Sequence, residues 1–289
     1  SAWLLVQILR QLGLALHQYL GVWESLPPSI MVVTDRQDNY RFARLYSPQA
    51  RLLPFVEQIG VWNAVNFDLD QTTLEDLPPQ NHSVASTSLA CFNCPAEPRN
   101  PPGSLNYRVS FGPAMGRHSV DQGASPHFRS RPLAAIRDGS TFTLAVSEKP
   151  VGSLPAAKYD PWSDWLDVGG IGLLPTLDLE ANDWIKICGD IMRIRQLPFA
   201  IHSDAGATWF LPGARYTAFF TALPPNSKSP DCGDVSSNGE GLFTARSYHP
   251  GGVNALMLDG SVRWYPSTTS ARVWQALGTR SGSEIVDLD

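Results

Sequence analysis

The chain has 289 residues, enough for one large domain or two small ones with a sizeable core. Apolar residues make up 43% and charged residues only 17% of it, which fits neither a disordered polymer nor an integral membrane bundle. The formal net charge of −5 gives no positive field for phosphate backbones, so nucleic acid is not an expected partner. With 24 prolines and 23 glycines, turns and short strands are favoured over long helices.

The first predicted element is a helix over residues 2–20. Its apolar side chains recur at helical spacing, at Leu5, Ile8, Leu12, Ala15, Leu16 and Tyr19. Arg10 at mid-length argues against a membrane-spanning segment, so we expect an amphipathic helix packed on a sheet. Pro27 and Pro28 end it, because proline lacks the backbone donor. We therefore divide the chain into an N-terminal helix, residues 1–28, and a β-rich globular domain, residues 29–289.

Most of the remaining chain is predicted to form short strands separated by turn-forming residues. Strands are predicted at 30–34, 141–146, 184–187 and 216–222. One further helix is predicted over 52–66, where apolar residues recur about once per turn. Segments 95–113 and 224–241 are rich in Pro, Asn, Ser and Gly and are predicted to be long surface loops.

The clearest local pattern is a hairpin over residues 252–265. The dipeptide Asp259-Gly260 separates two β-compatible runs and readily adopts the positive dihedrals of a type I′ turn. This predicts a two-residue turn, with Leu258 opposite Ser261 and Leu256 opposite Arg263. A short helix follows at residues 270–277, and Gly278 ends it.

The sequence does not decide whether its four cysteines form disulfides, remain free thiols or bind a metal. Cys91 and Cys94 form a CxxC pair, whereas Cys188 and Cys232 stand alone. Several prolines follow the CxxC, so neither a zinc ribbon nor a thioredoxin-like site is predicted. Disulfides in an exported protein are the favoured interpretation, with free thiols and a metal site as alternatives, and three pairings are possible.

Two segments offer candidate binding chemistry. Oxygen-bearing side chains alternate at Asp234, Ser236 and Asn238, and Glu240 follows, which resembles the opening of a calcium loop. Calcium is therefore the cofactor candidate, against a plain solvated loop. His249 is either a metal or acid–base group or a hydrogen-bond partner of the backbone at the hairpin entry. No hydrolase, zinc-protease or phosphate-binding motif is present, so no catalytic residue is assigned and no enzyme activity is expected.

Six stretches in order together resemble one family. They are LRQLGLALHQY (9–19) with LPP (26–28), RLLPFVEQIGVWNAVNF (51–67), CPAEP (94–98), IRDGSTFTLAVSE (136–148), PPNSKSPDC (224–232) and SYHPGGVNALMLDGSVRW (247–264). The last carries a His-x9-Asp-Gly motif, with His249, Gly251, Gly252, Asp259 and Gly260. The sequence resembles the planctomycete prepilin-type proteins that carry this motif near their C-terminus.

The resemblance implies an α+β fold in which a pilin-like N-terminal helix packs on a mainly antiparallel sheet with long loops. It further implies export across the inner membrane and a structural role in an extracellular or cell-surface filament, or in a type II secretion-type assembly. The expected partners are copies of this chain, through a helix stripe of Leu4, Leu5, Ile8 and Leu12, and other pilin-like subunits. Family members begin with an apolar half-helix that this sequence lacks. The alternative is a secreted module that binds polysaccharide, which would make glycan the ligand, and an exported hydrolase ranks third.

Overall fold

The chain folds into helices and short strands grouped in two larger sheets and one separate strand pair. The computed structural model describes residues 2–34, 40–69, 77–114, 122–125, 131–154, 159–169, 179–191, 200–235 and 240–283. Its helices are α1 (Ala2–Trp23), α2 (Pro48–Leu52), α3 (Ile59–Ala64), α4 (Pro79–Ala85), α5 (Ala181–Ile191) and α6 (Ala271–Gly278). Its strands are β1 (Ile30–Thr34), β2 (Tyr40–Leu45), β3 (Tyr107–Ser110), β4 (Leu144–Glu148), β5 (Trp165–Asp167), β6 (Ala200–His202), β7 (Ala218–Phe219), β8 (Asp231–Asp234), β9 (Glu240–Leu242), β10 (Gly252–Met257) and β11 (Val262–Pro266). The predicted α+β class is confirmed.

Helix α1 forms as its apolar periodicity predicts and packs against the larger sheet. Leu5, Leu9 and Leu12 are buried in the main core on one face of the helix. Gly13 permits a close approach to the hairpin, because a β-carbon there would lie 2.9 Å from Leu256 Cδ1 and 3.3 Å from the Gly260 backbone. The surface on which the helix packs, its seat, therefore includes the turn of the C-terminal hairpin. None of the helices in the described ranges is long and apolar enough to span a bilayer.

The larger sheet has the strand order β11-β10-β4-β3-β7. All neighbours are antiparallel except β3 and β7, which run parallel. Pairing of β10 with β4 brings the C-terminal hairpin beside a strand more than 100 residues earlier, with Ala255 opposite Ser147. One end of β4 and the entry to β10 therefore lie close together.

The smaller sheet has the order β6-β5-β8-β9, in which only β5 and β8 run parallel. Helix α5 covers it through Trp184, Cys188 and Ile191, whose spacing of four and three residues places them on one face. A disulfide joins Cys188 to Cys232 in β8. This pair is one of those left open by the sequence.

A group of buried charges joins the two sheets. Lys149 directly follows β4 in the larger sheet, whereas Asp231 begins β8 in the smaller one. Lys149 donates a hydrogen bond to Asp231 Oδ2, and the Arg246 guanidinium lies 2.9 Å from Asp231 Oδ1. All three side chains are inaccessible to solvent. The sheets are thus tied by one carboxylate shared between two cations.

Several sequence predictions need correction. Residues 184–187 lie inside α5 and form no strand, because Trp184, Cys188 and Ile191 follow the helical period. The single helix predicted over 52–66 is interrupted: a 3-10 turn at Leu53–Val56 ends at Glu57, whose φ of +61° leaves the helical region before α3 begins. Strand 30–34 is confirmed, the strand predicted at 141–146 runs from Leu144 to Glu148, and that at 216–222 reduces to Ala218–Phe219. The two predicted loops contain the short strands β3 and β8, and the second loop also includes the start of β9.

The hairpin exists, but its predicted register is wrong by one residue. Leu256 pairs with Val262 and Ala255 with Arg263. The Met257 N–H donates to the Ser261 carbonyl, and the Gly260 N–H donates to the Met257 carbonyl. Among the residues of this turn only Gly260 has a positive φ, +84°, so a type I′ turn, which needs two, does not form. The connection is a three-residue loop of the kind that ends in a left-handed glycine.

Candidate functional site

The His-x9-Asp-Gly motif spans the sheet from one end of β10 to the other. His249 precedes the strand, and Gly251 and Gly252 lead the chain into it. Asp259 and Gly260 form the turn at the far end, where the Asp259 carboxylate accepts a hydrogen bond from the Ser261 N–H (2.8 Å). Asp259 is therefore a turn former, as its residue type indicates. The turn lies against α1, with His17 as its neighbour.

At the other end of the motif, three potential ligand side chains converge. His249 Nε2 lies 3.3 Å from Cys94 Sγ and 3.1 Å from Glu148 Oε1. The three ligand atoms all lie within 4.8 Å of one another. Cys94 and Glu148 are buried, and His249 is partly exposed. We call Cys94, Glu148 and His249 the Cys–Glu–His cluster.

Each member of the cluster is held by its own local contacts. The Cys94 N–H donates to Asn106 Oδ1 (2.6 Å), and the Ala96 N–H points to the Cys94 sulfur (3.4 Å). Glu148, the last residue of β4, accepts a hydrogen bond from the Asn254 N–H of β10 through Oε2 (2.7 Å). This bond fixes the carboxylate and leaves Oε1 directed toward His249. The backbone N–H of His249 donates to Ser247 Oγ (3.1 Å).

The electrostatics of the cluster favour positive charge at its centre. Contacts with Cys94 and then with Glu148 raise the pKa of the His249 imidazole to about 10, although partial burial opposes the shift. Without a metal ion the imidazole is therefore cationic at neutral pH, and an ion bound at Nε2 would have to displace this proton. By contrast, burial raises the pKa of the neighbouring Cys91 thiol to about 11, so Cys91 remains a neutral thiol.

The arrangement differs from that of a thiol nucleophile activated by a histidine base. In such a triad the carboxylate orients the imidazole through one ring nitrogen while the nucleophile uses the other. Here Cys94 and Glu148 approach the same nitrogen, Nε2. A histidine that already carries a proton at neutral pH is also a poor general base. The cluster is better suited to holding a cation than to acyl transfer.

A small pocket opens beside the cluster. Cys94 and Glu148 form part of its wall, and so do polar or charged side chains from several segments, among them Glu97, Lys149 and Arg246. Glu97 is itself buried and accepts hydrogen bonds from Asn106 Nδ2 and the Val151 N–H. The pocket therefore connects the Cys–Glu–His cluster with the buried charges that join the sheets.

The structure describes two of the four residues of the predicted calcium site. Asp234 and Glu240 lie opposite each other on β8 and β9. Ser236 and Asn238 lie outside the described residues. The calcium site stays a prediction.

The predicted assembly stripe on α1 is wrong in most of its members. Leu5, Ile8 and Leu12 are buried against the protein's own sheet, and of the four only Leu4 is exposed, at 43%. The reason is that these apolar positions belong to the face that the helix turns toward the sheet. The apolar side chains that α1 exposes are instead Trp3, Leu4, Leu14, Val22 and Trp23.

The cysteine predictions are partly confirmed. Cys188 and Cys232 form a disulfide, whereas Cys91 and Cys94 are free thiols. The sequence interpretation singled out His249 as a candidate ligand but missed Glu148 and did not connect Cys94 with the histidine. A signal was present, because Cys94, Glu148 and His249 belong to three of the six stretches that carry the family resemblance.

Comparison with known proteins identifies the family. The family described as "Protein of unknown function (DUF1559)" matches residues 8–272, so the chain belongs to this family. All six stretches named above lie within the matched region. No curated protein and no solved structure matches the chain.

Proposed function

We propose that this member of the DUF1559 family is a pilin-like or pseudopilin-like structural subunit that works by self-association at the cell surface. The observation that carries the proposal is the position of α1. One face of this 22-residue helix is seated on a mainly antiparallel sheet, while its outward side carries exposed apolar residues. At 100° per residue Trp3 and Leu14 lie opposite the buried face and Val22 lies beside them, so association of copies would bury apolar side chains that the protein's own core leaves exposed.

The exposed residues are large enough to matter for association. Trp3 is 71%, Leu14 59% and Val22 63% exposed. Burying most of one tryptophan removes on the order of 150 Å² of surface. At about 25 cal/mol per Å² this contributes about 4 kcal/mol. Association costs about 4–15 kcal/mol in lost freedom of motion, so one such contact is insufficient and each subunit needs several neighbours. A filament or a multi-subunit assembly supplies them.

The disulfide supports the proposed location. A bond such as Cys188–Cys232 persists in oxidising surroundings, which include the periplasm and the cell surface. The proposed partners are copies of this chain and other pilin-like subunits. The finer family assignment, to prepilin-type proteins, belongs to the same proposal.

The experiment compares two surface variants with the parent protein. Leu14→Asp combined with Val22→Asp places charges on the outward side of α1, and Ile201→Asp, at a residue 48% exposed on β6, is the matched control. We expect the parent and the control to form larger species as concentration rises in analytical ultracentrifugation, with filaments or ordered oligomers in electron micrographs. The α1 variant should remain monomeric with an unchanged circular dichroism spectrum.

Two results would contradict the proposal. One is association of the α1 variant as strong as that of the parent, and the other is a parent protein that stays monomeric at all concentrations. A monomer whose melting temperature rises with soluble polysaccharide would instead support the glycan-binding alternative.

A further inference from the structure

We propose that Cys94, Glu148 and His249 bind one divalent transition-metal ion of the zinc type. The proposal rests first on the separations of the three ligand atoms. A tetrahedral zinc ion, with about 2.3 Å to sulfur and about 2.0–2.1 Å to nitrogen and oxygen, separates sulfur from nitrogen by about 3.5 Å and nitrogen from oxygen by about 3.3 Å. The corresponding distances in the cluster are 3.3 and 3.1 Å. The sulfur and the carboxylate oxygen lie within 4.8 Å of each other, so an adjustment of the three side chains admits the ion.

The second observation is a buried carboxylate oxygen directed into the cluster. The Glu148 side chain is 3% exposed, and its Oε1 lies 3.1 Å from His249 Nε2, a contact that lacks the alignment of a hydrogen bond and is the one given for this oxygen among the described residues. Its other oxygen is engaged by the Asn254 N–H. Such a division, with one oxygen oriented by the protein and one left for the ion, is typical of carboxylate ligands in metal sites.

The local contacts of Cys94 also support its role as a metal ligand. The Ala96 N–H is directed at the Cys94 sulfur (3.4 Å), and the Cys94 backbone N–H is held by Asn106, so this side chain is oriented by its own local contacts, as metal ligands are. The Tyr107 hydroxyl is buried and lies close to the Cys94 sulfur.

The ligand types select the class of metal. Thiolate and imidazole together favour zinc and related transition metals, whereas calcium and magnesium take oxygen ligands. Three protein ligands next to a pocket leave one coordination position accessible. This inference is independent of self-association, because it concerns a site away from the outward side of α1.

The test uses the full chain with its Cys188–Cys232 disulfide intact. Metal-free protein is prepared with a chelator, without thiol reductant and under nitrogen, and is titrated with Zn²⁺ against a chromophoric competitor. A parallel titration with Co²⁺ reports thiolate coordination through its charge-transfer absorption. The variants are Cys94→Ala, His249→Gln and Glu148→Gln, and Cys91→Ala is the control, since this second free cysteine lies three residues from the ligand.

We expect one Zn²⁺ per chain, a higher melting temperature with zinc, and a thiolate band with cobalt. The control variant should behave as the parent does. Because loss of an outer partner alone weakens metal binding about 10–100-fold, loss of Cys94 or His249 should weaken it by about 100-fold or more. A circular dichroism spectrum of each variant shows whether it is folded, and Glu148→Gln, which keeps the shape of the side chain, serves if another variant fails to fold.

Three results would overturn the inference. They are a parent protein that binds no Zn²⁺, folded cluster variants that bind it as tightly as the parent, and a native protein in which Cys94 is oxidised to a disulfide with Cys91. Each can be observed with monomeric protein, so none depends on whether the chain assembles.

Discussion

Replacing Asp231 with asparagine tests how the two sheets are held together. The carboxylate is fully buried and is shared by Lys149 and Arg246, and its Oδ1 also accepts the Thr244 N–H (3.0 Å). Asparagine has nearly the same shape but no charge. The variant therefore leaves the Arg246 guanidinium without its anion, and it removes the contact that supports the charge of Lys149, whose pKa burial already lowers to about 7. The packing volume stays the same.

The expected loss of stability is large. Removing one partner of a buried ion pair costs about 3–5 kcal/mol, which is a substantial part of the about 5–15 kcal/mol that stabilises a typical protein. With an unfolding entropy of about 2.1 cal/mol/K per residue over 289 residues, this lowers the melting temperature by about 5–8 °C. Urea unfolding and calorimetry measure both quantities.

The pH dependence follows from the same carboxylate. Burial alone would raise the pKa of Asp231, but Arg246 and Lys149 outweigh it and hold this pKa below its usual value of 3.8. The stabilisation is thus complete above about pH 4 and is lost as the pH falls through the lower, folded-state pKa. Asp231→Asn should lack this part of the acid transition, so the difference between the two proteins shrinks in acid.

The control for this prediction is Asp160→Asn. Asp160 pairs with Arg99 at 3.0 Å, but both side chains are about one-third exposed. Removal of such a pair should cost no more than about 1 kcal/mol. If Asp231→Asn changes the free energy of unfolding as little as the control does, the argument that buried charges join the sheets is refuted.

Two further stability predictions concern the disulfide and α1. Replacing Cys188 and Cys232 with serine opens a 44-residue loop and should lower the free energy of unfolding by about 4 kcal/mol in urea; a loss below about 1 kcal/mol would mean that α5 needs no covalent tie. Leu9→Ala, at a fully buried position, should cost about 2–5 kcal/mol, whereas Leu14→Ala on the outward side of the same helix should cost less than about 0.5 kcal/mol; equal costs would contradict the assigned helix orientation.

Local patterns in the sequence predicted the elements that depend on local interactions. The spacing of apolar residues in α1 gave both its existence and its buried face, since a helix has a fixed period. The short helix α6 was predicted at nearly its observed bounds; its N-cap is Ser270, whose side chain accepts the Val273 N–H. The assembly stripe was misassigned because the same apolar residues were used for the core and for the partner.

The hairpin register depended on information that is not local. Asp259-Gly260 is compatible with a type I′ turn and also with a three-residue loop that ends in glycine. In the folded protein Gly260 packs near Gly13 of α1, and β10 pairs with β4 on its other edge. Contacts of this kind decide between two turns of similar local energy, so the sequence of the hairpin alone was insufficient.

The Cys–Glu–His cluster was beyond local sequence analysis for the same reason. Cys94 and His249 are separated by 155 residues, and Glu148 reaches them only because β4 pairs with β10. No spacing rule for metal ligands covers such separations, since those rules describe ligands on one turn or one helix. Family resemblance marked the three stretches, but only the sheet topology brings them together.

The geometry gives the two ends of the His-x9-Asp-Gly motif separate roles. The six residues of β10 extend about 20 Å at about 3.3 Å per residue, which separates His249 at the cluster from the turn beneath α1. Nine intervening residues are thus what a strand, its two-glycine entry and a tight turn require. At one end of the motif, His249 supplies the proposed ligand side chain. At the other end, Gly260 has no side chain, which lets α1 approach the turn. One strand therefore connects the proposed metal site to the seat of the helix through which copies of the chain are proposed to associate.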